Sequence, residues 1–469
     1  MGFFYGEEDI VENIKDQLKE ITDDNYINSE LYDKFNVKRG LRNADGTGVL
    51  VGLTRVGEVH GYIVDEGEKV AVPGKLYYRG IDVEDITAAA AKDGRFCFEE
   101  TVYLLLFGKL PGKKQLAEFI ELIGNNRALP KNFIEDVIMK APSHNIMNKL
   151  VSSISALYPY DEDPEGQAPE NVVRQCINLI ARFPTIVAYS YMSKKHYFDH
   201  ESLVIHPSDP SCSTAETLLS LIRPDQKYTQ YEAQLLDLAL VLHAEHGGGN
   251  NSTFAVHVVS SADTDTYSTI AAGIGSLKGF KHGGANAKVI GMMDDIMKNV
   301  KNWESEKEVS EYLAKILRGE AYDGTKLIYG QGHAVYTVTD PRAILLRDKA
   351  EALAEDKGFM KEFNLYRLIE RLVPEVFKKV KGADKEICTN VDFYSGFVYK
   401  MLGIPPDLNT PIFAVSRIAG WCAHRLEEII TGGRIIRPAY KCVQFRNNYI
   451  DIEKRKSGLL LWLKKILPF

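Results

Sequence analysis

Phe98-Glu-Glu-Thr-Val-Tyr-Leu-Leu-Leu-Phe-Gly108, Lys114-Gln-Leu-Ala-Glu-Phe-Ile-Glu-Leu-Ile-Gly124 and Asn132-Phe-Ile-Glu-Asp-Val-Ile-Met-Lys140, the last just ahead of Pro142, follow in close order. In each, apolar side chains recur three and four positions apart, which lines one face of an α-helix, and a Gly or Pro closes the run as a stop signal. The same spacing predicts helices over Tyr231 to His246, Ala285 to Val300, Ser305 to Leu317, Arg342 to Lys357, Lys361 to Lys381 and Pro411 to Thr431. Pro374 is a point where the Lys361 segment would kink or split. Only Val49 to Gly80 alternates Val and Tyr with polar residues in the period of a strand, and there Gly61, Gly67 and Gly74 read as turns. Tyr160 to Gly166 and His206 to Ser211 read as surface loops. The expectation is a mainly α fold with a small N-terminal β region.

Composition narrows the class. The chain has 469 residues, 45% hydrophobic and 26% charged, which excludes a disordered or fibrous protein. A net charge of −7 with its basic residues scattered argues against a nucleic-acid-binding surface. Six cysteines stand far apart with no C-x-x-C pair, so neither a disulfide framework nor a thiolate zinc site is expected. The acidic start, Met1 to Asp9, lacks the pattern of a secretory or mitochondrial signal, and Gly6 stands where a myristoylation motif requires Ser or Thr. Gly458 to Phe469 is apolar and basic but too short to span a bilayer. An arm packing on the protein or on a partner subunit is the expectation for it, with a surface-lying amphipathic tail as the alternative. A soluble, cytoplasmic protein fits these features.

Three of the 11 histidines sit against glycine at the edges of predicted helices: His243-Ala-Glu-His246-Gly-Gly-Gly-Asn250, Lys281-His282-Gly-Gly-Ala-Asn286 and Gly330-Gln-Gly-His333-Ala-Val335. Glycine lets backbone approach a ligand closely and leaves the ring accessible. A zinc reading of His243 and His246 fails, because the H-E-x-x-H order and a third ligand are both missing. Gly247-Gly-Gly249 and Gly432-Gly433 lack the pattern of a phosphate loop and read as helix C-caps.

Taken in order and followed by Asp340-Pro-Arg342, Asn390-Val-Asp392-Phe-Tyr-Ser-Gly396, Val415-Ser-Arg417 and Arg437-Pro438, these segments resemble the signature of the citrate synthase family. The likeness runs from about Leu76 to Tyr440 and is looser at its start, in Lys75-Leu-Tyr-Tyr-Arg79-Gly80 and Phe98 to Gly108. It implies a two-domain helical fold: a large domain over 1–283 and 393–469, and a small domain over 284–392.

The resemblance implies condensation of acetyl-coenzyme A with oxaloacetate and water to give citrate and coenzyme A. The methyl group of an acetyl thioester is a very weak acid, so enolisation needs a base on one side and a hydrogen-bond donor to the forming enolate oxygen on the other. The family pattern gives the base to Asp392 and the donor to His282, just ahead of a predicted helix N-terminus that disfavours imidazolium. Oxaloacetate carries two carboxylates and a ketone, which call for bidentate arginines and a proton donor. By resemblance Arg342, Arg417 and Arg437 bind the carboxylates, His246 binds the same substrate, and His333 polarises the ketone.

Coenzyme A is implied to lie on the main chain of Gly330, Gln331, Gly332, Ala334 and Val335. Thr337 and Val338 stand where many relatives place basic residues, which weakens a phosphate contact there. No cofactor and no metal is implied, acetyl-coenzyme A being a substrate. In the family the arginine matching Arg437 reaches the other subunit's site, which implies a homodimer. A 2-methylcitrate synthase using propionyl-coenzyme A is the nearest rival, since one methylene is worth only about 1–3 kcal/mol of discrimination. A non-catalytic relative of the fold is a more distant one.

Overall fold

The computed structural model describes residues 25–43, 46–66, 68–382 and 387–454. The tail from Gly458, Gly2 and Gly67 lie outside these. The chain divides into a unit of residues 1–51 with 437–469 and a unit of residues 52–436. In the first, α1 (Glu30–Lys34) ends before Phe35, whose ring lies 5.6 Å from the Lys441 ammonium.

The second unit is helical apart from one antiparallel sheet: β1 (Gly57–Asp65), β2 (Glu68–Tyr78) and the short β3 (Ile81–Asp82), in that order. Then come α2 (Val83–Asp93), α3 (Phe98–Phe107), α4 (Lys113–Asn125), a π-helical turn (Ile134–Met139), α5 (Ile146–Ala156), α6 (Pro169–Phe198) and α7 (Thr214–Ile222). They are followed by α8 (Gln230–His243), α9 (Asn251–Ser260), α10 (Thr266–Leu277), α11 (Ala285–Asn299) and α12 (Glu306–Arg318). Last are α13 (Pro341–Lys357), α14 (Met360–Lys381), α15 (Val391–Met401) and α16 (Asn409–Thr431). The mainly α expectation with a small N-terminal β region holds.

The helices begin and end where local chemistry says they should. Ser213, Thr229 and Ser305 cap α7, α8 and α12 through hydroxyls that accept the amides of Glu216, Glu232 and Glu308, each three residues on in the first turn, and Gly108, Gly319, Gly358 and Gly432 close α3, α12, α13 and α16 in the left-handed conformation. α16 is buried from Asn409 through Leu426 on nearly every side, so it forms the axis of the core and lies against α6, α9, α3, α10 and α8.

Several glycines and prolines depart from the sequence expectation. Gly124 does not stop α4 but lies inside it, because a Cβ there would fall on the Pro210 carbonyl. Gly61 and Gly74 are within strands rather than at turns. Pro374 does not split α14, which runs through it. The predicted helix to His246 ends at His243, with Ala244 in the cap, so His246 lies on the turn beyond and Gly247 is not a cap residue.

Candidate active site

The β1–β2 hairpin lies on the loop that carries His333. A Cβ on Gly61 would stand 2.7 Å from the Val335 carbonyl oxygen, and one on Gly74 would overlap the Thr339 carbonyl. The Gly74 amide donates to Thr339 Oγ1 at 3.0 Å. Only glycine permits this approach of two backbones, which is what the pattern of the strand segment concealed.

The loop is stitched to the segment that enters α15. Gly332 N donates to Cys388 O at 2.7 Å, Asn390 N to Gly330 O at 3.0 Å and Asn390 Nδ2 to Gly332 O at 2.9 Å. Thr389 Oγ1 donates to the Gln331 side chain at 3.1 Å. Gly330 and Gly332 have φ of 78° and 85°, and a Cβ on Gly330 would be 2.7 Å from the Phe393 ring. Asn390 then caps α15 by accepting the Asp392 amide at 3.1 Å. One short ladder thus sets His333 and Asp392 relative to each other.

His333 Nδ1 accepts the amides of Val335 and Tyr336, both at 3.1 Å, which places the ring hydrogen on Nε2 as a donor. The ring stacks on Tyr336 at 4.7 Å and 26°, and meets His246 edge-on at 5.1 Å and 82°. His246 Nε2 is buried without a hydrogen-bond partner among the described residues. Burial holds the His246 imidazole well below its ordinary pKa, with Arg342, His333, Arg417 and His282 acting in the same direction.

Arg342 opens α13 and is almost fully buried, paired with Asp340. Burial opposes its charge, and Asp340 more than restores it, so the guanidinium stays cationic. Arg417, in the middle of α16, donates Nε to His243 O at 2.6 Å and lies 4.7 Å over the Phe413 ring, while its Nη1 is buried without a hydrogen-bond partner among the described residues. Burial brings Arg417 down to about 10, opposed by Glu245.

His282 precedes α11, whose N-cap is Gly284. Its Nε2 lies 3.1 Å from Ser252 Oγ, which also accepts the Trp421 indole hydrogen at 3.1 Å. Burial lowers the imidazole to about 4, Arg417 adding to the effect, so the ring is neutral at physiological pH. Asn286 ties this helix start to its neighbours, donating to Ser395 Oγ at 2.6 Å and accepting from Asn409 Nδ2 at 2.8 Å. Asp392, the second residue of α15, is raised to about 6 by burial, with Arg342 pulling down and Asp340 pushing up.

His246, His282, His333, Arg342, Arg417 and Asp392 are therefore one electrostatically coupled set in the 52–436 unit. Arg437 belongs to the other unit. Tyr336, Ser252, Asp340 and Glu245 also shape the site and were not singled out from the sequence. Of these, Asp340, two positions from Arg342, and Glu245, next to His246, stood inside recognised motifs. Such a set can bind a dicarboxylate on two arginines, offer Nε2–H to a carbonyl and present a carboxylate of raised basicity beside a neutral histidine.

The family described as citrate synthase, C-terminal domain, matches residues 45–439. A citrate synthase of Synechocystis sp. is 34% identical over 384 residues, 81% of this chain and 88% of that relative. A 2-methylcitrate synthase of Shewanella oneidensis is 31% identical over 82% of this chain and 92% of its own. Among solved structures, the ternary complex of citrate synthase from Thermoplasma acidophilum with carboxymethyl coenzyme A and oxaloacetate superposes with a TM-score of 0.72 at 27% identity, covering 89% of this chain and 99% of that one.

Proposed function

Because the chain belongs to the citrate synthase family and is an enzyme of that acyltransferase type, we propose that it condenses acetyl-coenzyme A with oxaloacetate and water to give citrate and coenzyme A. What carries the reading is a pair of buried polar atoms, His246 Nε2 and Arg417 Nη1, that have no hydrogen-bond partner among the described residues. A buried orphan costs about 1–3 kcal/mol, and a dicarboxylate held with Arg342 would relieve both. Arg342, Arg417 and His246 bind oxaloacetate in this reading, and Arg437 completes the site from the partner subunit of a homodimer.

Asp392 removes a methyl proton from the acetyl thioester and His282 donates to the enolate oxygen. For His282 to donate from Nδ1, Ser252 turns its hydroxyl hydrogen to Nε2 and leaves Asn250 Oδ1, which lies 2.9 Å from that hydroxyl, to the Ser252 amide. The enol carbon attacks the ketone while His333 Nε2–H polarises it and passes a proton to the new alkoxide. Water then hydrolyses the citryl thioester. The main chain of Gly330, Gln331, Gly332, Ala334 and Val335 receives coenzyme A.

A small domain of 284–392 closing on a large domain of 1–283 and 393–469 would exclude water during these steps. A cytoplasmic location is in keeping with six unpaired cysteines and with the finding that, among the described residues, no helix is long and apolar enough to cross a membrane.

Thiol release with oxaloacetate and either acetyl- or propionyl-coenzyme A tests the proposal. A kcat/KM favouring acetyl-coenzyme A is expected. A preference for propionyl-coenzyme A would make the enzyme a 2-methylcitrate synthase, the reading favoured by the Shewanella relative. No thiol release with either would overturn both.

A further inference from the structure

Behind His246 lies a line of ionisable side chains that the chemistry above does not use. Glu245 is 0% exposed. Its Oε1 accepts the Gly247 amide at 2.5 Å and faces His424 Nε2 at 3.0 Å, while Oε2 has no hydrogen-bond partner among the described residues. On the other side of the ring, His424 Nδ1 is 3.1 Å from His257 Nε2 and 3.7 Å from Glu427 Oε2. His257 Nδ1 in turn lies 3.2 Å from Glu428 Oε2. Glu427 is held by Thr54 Oγ1 and the Arg55 amide, each at 2.7 Å.

These links can be made with one extra proton, which stands on His424 in the arrangement that the surrounding charges favour. His424 is an imidazolium donating Nε2–H to Glu245 and Nδ1–H to His257. His257 is neutral, accepting at Nε2 and donating Nδ1–H to Glu428. The charge balance agrees with it. Burial works against the His424 cation, but Glu245 and Glu427 lift it to about 9. Burial also works against the Glu245 carboxylate, yet His424 keeps it below its ordinary value. His257 is lowered by burial and by the His424 charge.

Two glycines make the space that this carboxylate fills. A Cβ on Gly57 would stand 2.6 Å from Glu245 Cγ, and one on Gly420 would fall on the carboxylate itself. Glu245 stands one residue before His246 and two after His243, whose carbonyl accepts Arg417 Nε. His424 stands two helical turns after Arg417 on α16. The pair therefore joins the turn that carries His246 to the helix that carries Arg417.

We propose that Glu245 and His424 are positioning residues for oxaloacetate: their buried ion pair fixes the spacing between the His246 ring and the Arg417 guanidinium. The inference rests on the assignment of those two groups to oxaloacetate. A buried ion pair is weak support for stability, since its desolvation offsets its attraction. Retention of one here is better explained by the geometry it specifies. The Glu245 charge also offsets that of Arg417 before a dianion arrives.

The test is the dissociation constant of oxaloacetate by calorimetry on the full-length protein, with steady-state KM for both substrates, for Glu245→Gln, His424→Gln and the double variant. Each single change should weaken oxaloacetate about tenfold, the scale of lost support behind a binding group, and leave the acetyl-coenzyme A KM within about twofold. The double variant, in which two amides can hydrogen-bond, should lose less than the sum of the singles. Folded single variants that bind oxaloacetate as the parent does would overturn the inference. So would equal losses for both substrates, which indicate general loosening. If Glu245→Gln does not fold, Glu245→Asp serves: it keeps the charge but withdraws it from His424, and unchanged oxaloacetate binding there is equally fatal. A parent protein that binds no oxaloacetate fails earlier, at the functional assignment, and takes this inference with it.

Discussion

Asp340 holds Arg342 with both carboxylate oxygens: Nε donates to Oδ1 at 3.0 Å and Nη2 to Oδ2 at 2.8 Å, while the Arg342 amide also donates to Oδ1 at 3.0 Å. Oδ2 accepts in addition from the Val391 amide at 3.2 Å. One aspartate therefore caps α13, orients its arginine and anchors the start of the helix that carries Asp392. Asp340→Asn keeps the shape and removes the charge. It should raise the KM for oxaloacetate about tenfold or more and lower the melting temperature, because a buried guanidinium loses its partner. A KM unchanged in a folded variant would show that Arg342 needs no such support.

The pH dependence of kcat/KM reports groups of the free enzyme. Asp392 must be ionised to take a proton, and burial raises it to about 6. Activity should therefore fall as pH drops through about 6, with one proton taken up. His282, lowered to about 4, is already neutral and adds no limb between about pH 5 and 8. Asp392→Asn should lower kcat about a hundredfold or more and remove the limb, with oxaloacetate binding nearly intact. A profile flat down to pH 5 would contradict the assignment of the base.

His424 should leave a separate mark on stability. Its folded value, about 9, is above the ordinary imidazole value, so its contribution is complete below about pH 6.5. It is lost as pH rises through about 9. Melting temperature should decline over that interval in the parent, and the decline should flatten in His424→Gln. An equal slope in both proteins would mean that other groups cause it.

Gly74 separates steric from chemical requirements. A Cβ there would strike the Thr339 carbonyl, which is backbone and cannot swing aside. Gly74→Ala should displace the hairpin from the His333 loop and reduce kcat, with a stability loss of about 1–3 kcal/mol typical of overpacking. Gly80→Ala makes a useful comparison, since nothing lies within 4 Å of its Cβ position. It should show only the cost of its positive φ. Equal kcat losses in the two variants would rule out the hairpin contact as the cause.

The same glycines show what the sequence can and cannot reveal. Helix α3 and its stop at Gly108 were readable because both the apolar stripe and the left-handed cap are local. Gly124 and Gly74 look no different in sequence, yet their reason is a distant backbone, Pro210 in one case and Thr339 in the other. The 30-residue α6 was not among the predicted helices, and from Phe183 to Ser193 every residue is buried, so no polar face marks that half. In the site, His246, His282, His333, Arg342 and Asp392 were legible because each sits beside its own turn or cap, and Arg417, inside α16, only through its motif. The pairing of Glu245 with His424 was not, since 179 positions separate them and only the packing of α8 against α16 joins them.

The shared site of the proposed homodimer can be tested without a structure of the assembly. In the proposed homodimer Arg437 serves the partner's site, whereas Asp392 serves its own. Arg437→Ala and Asp392→Asn proteins should each be nearly inactive. A mixed dimer of a two-fold symmetric enzyme then holds one site with both defects and one site with neither. Mixing under conditions that exchange subunits should restore activity, bounded by about half the sites of the mixed dimers. The mixed species is quantified by mass, and recovered activity should scale with its fraction. If exchange is complete and no activity returns, Arg437 acts within its own chain, and a site completed by the partner subunit has to be given up.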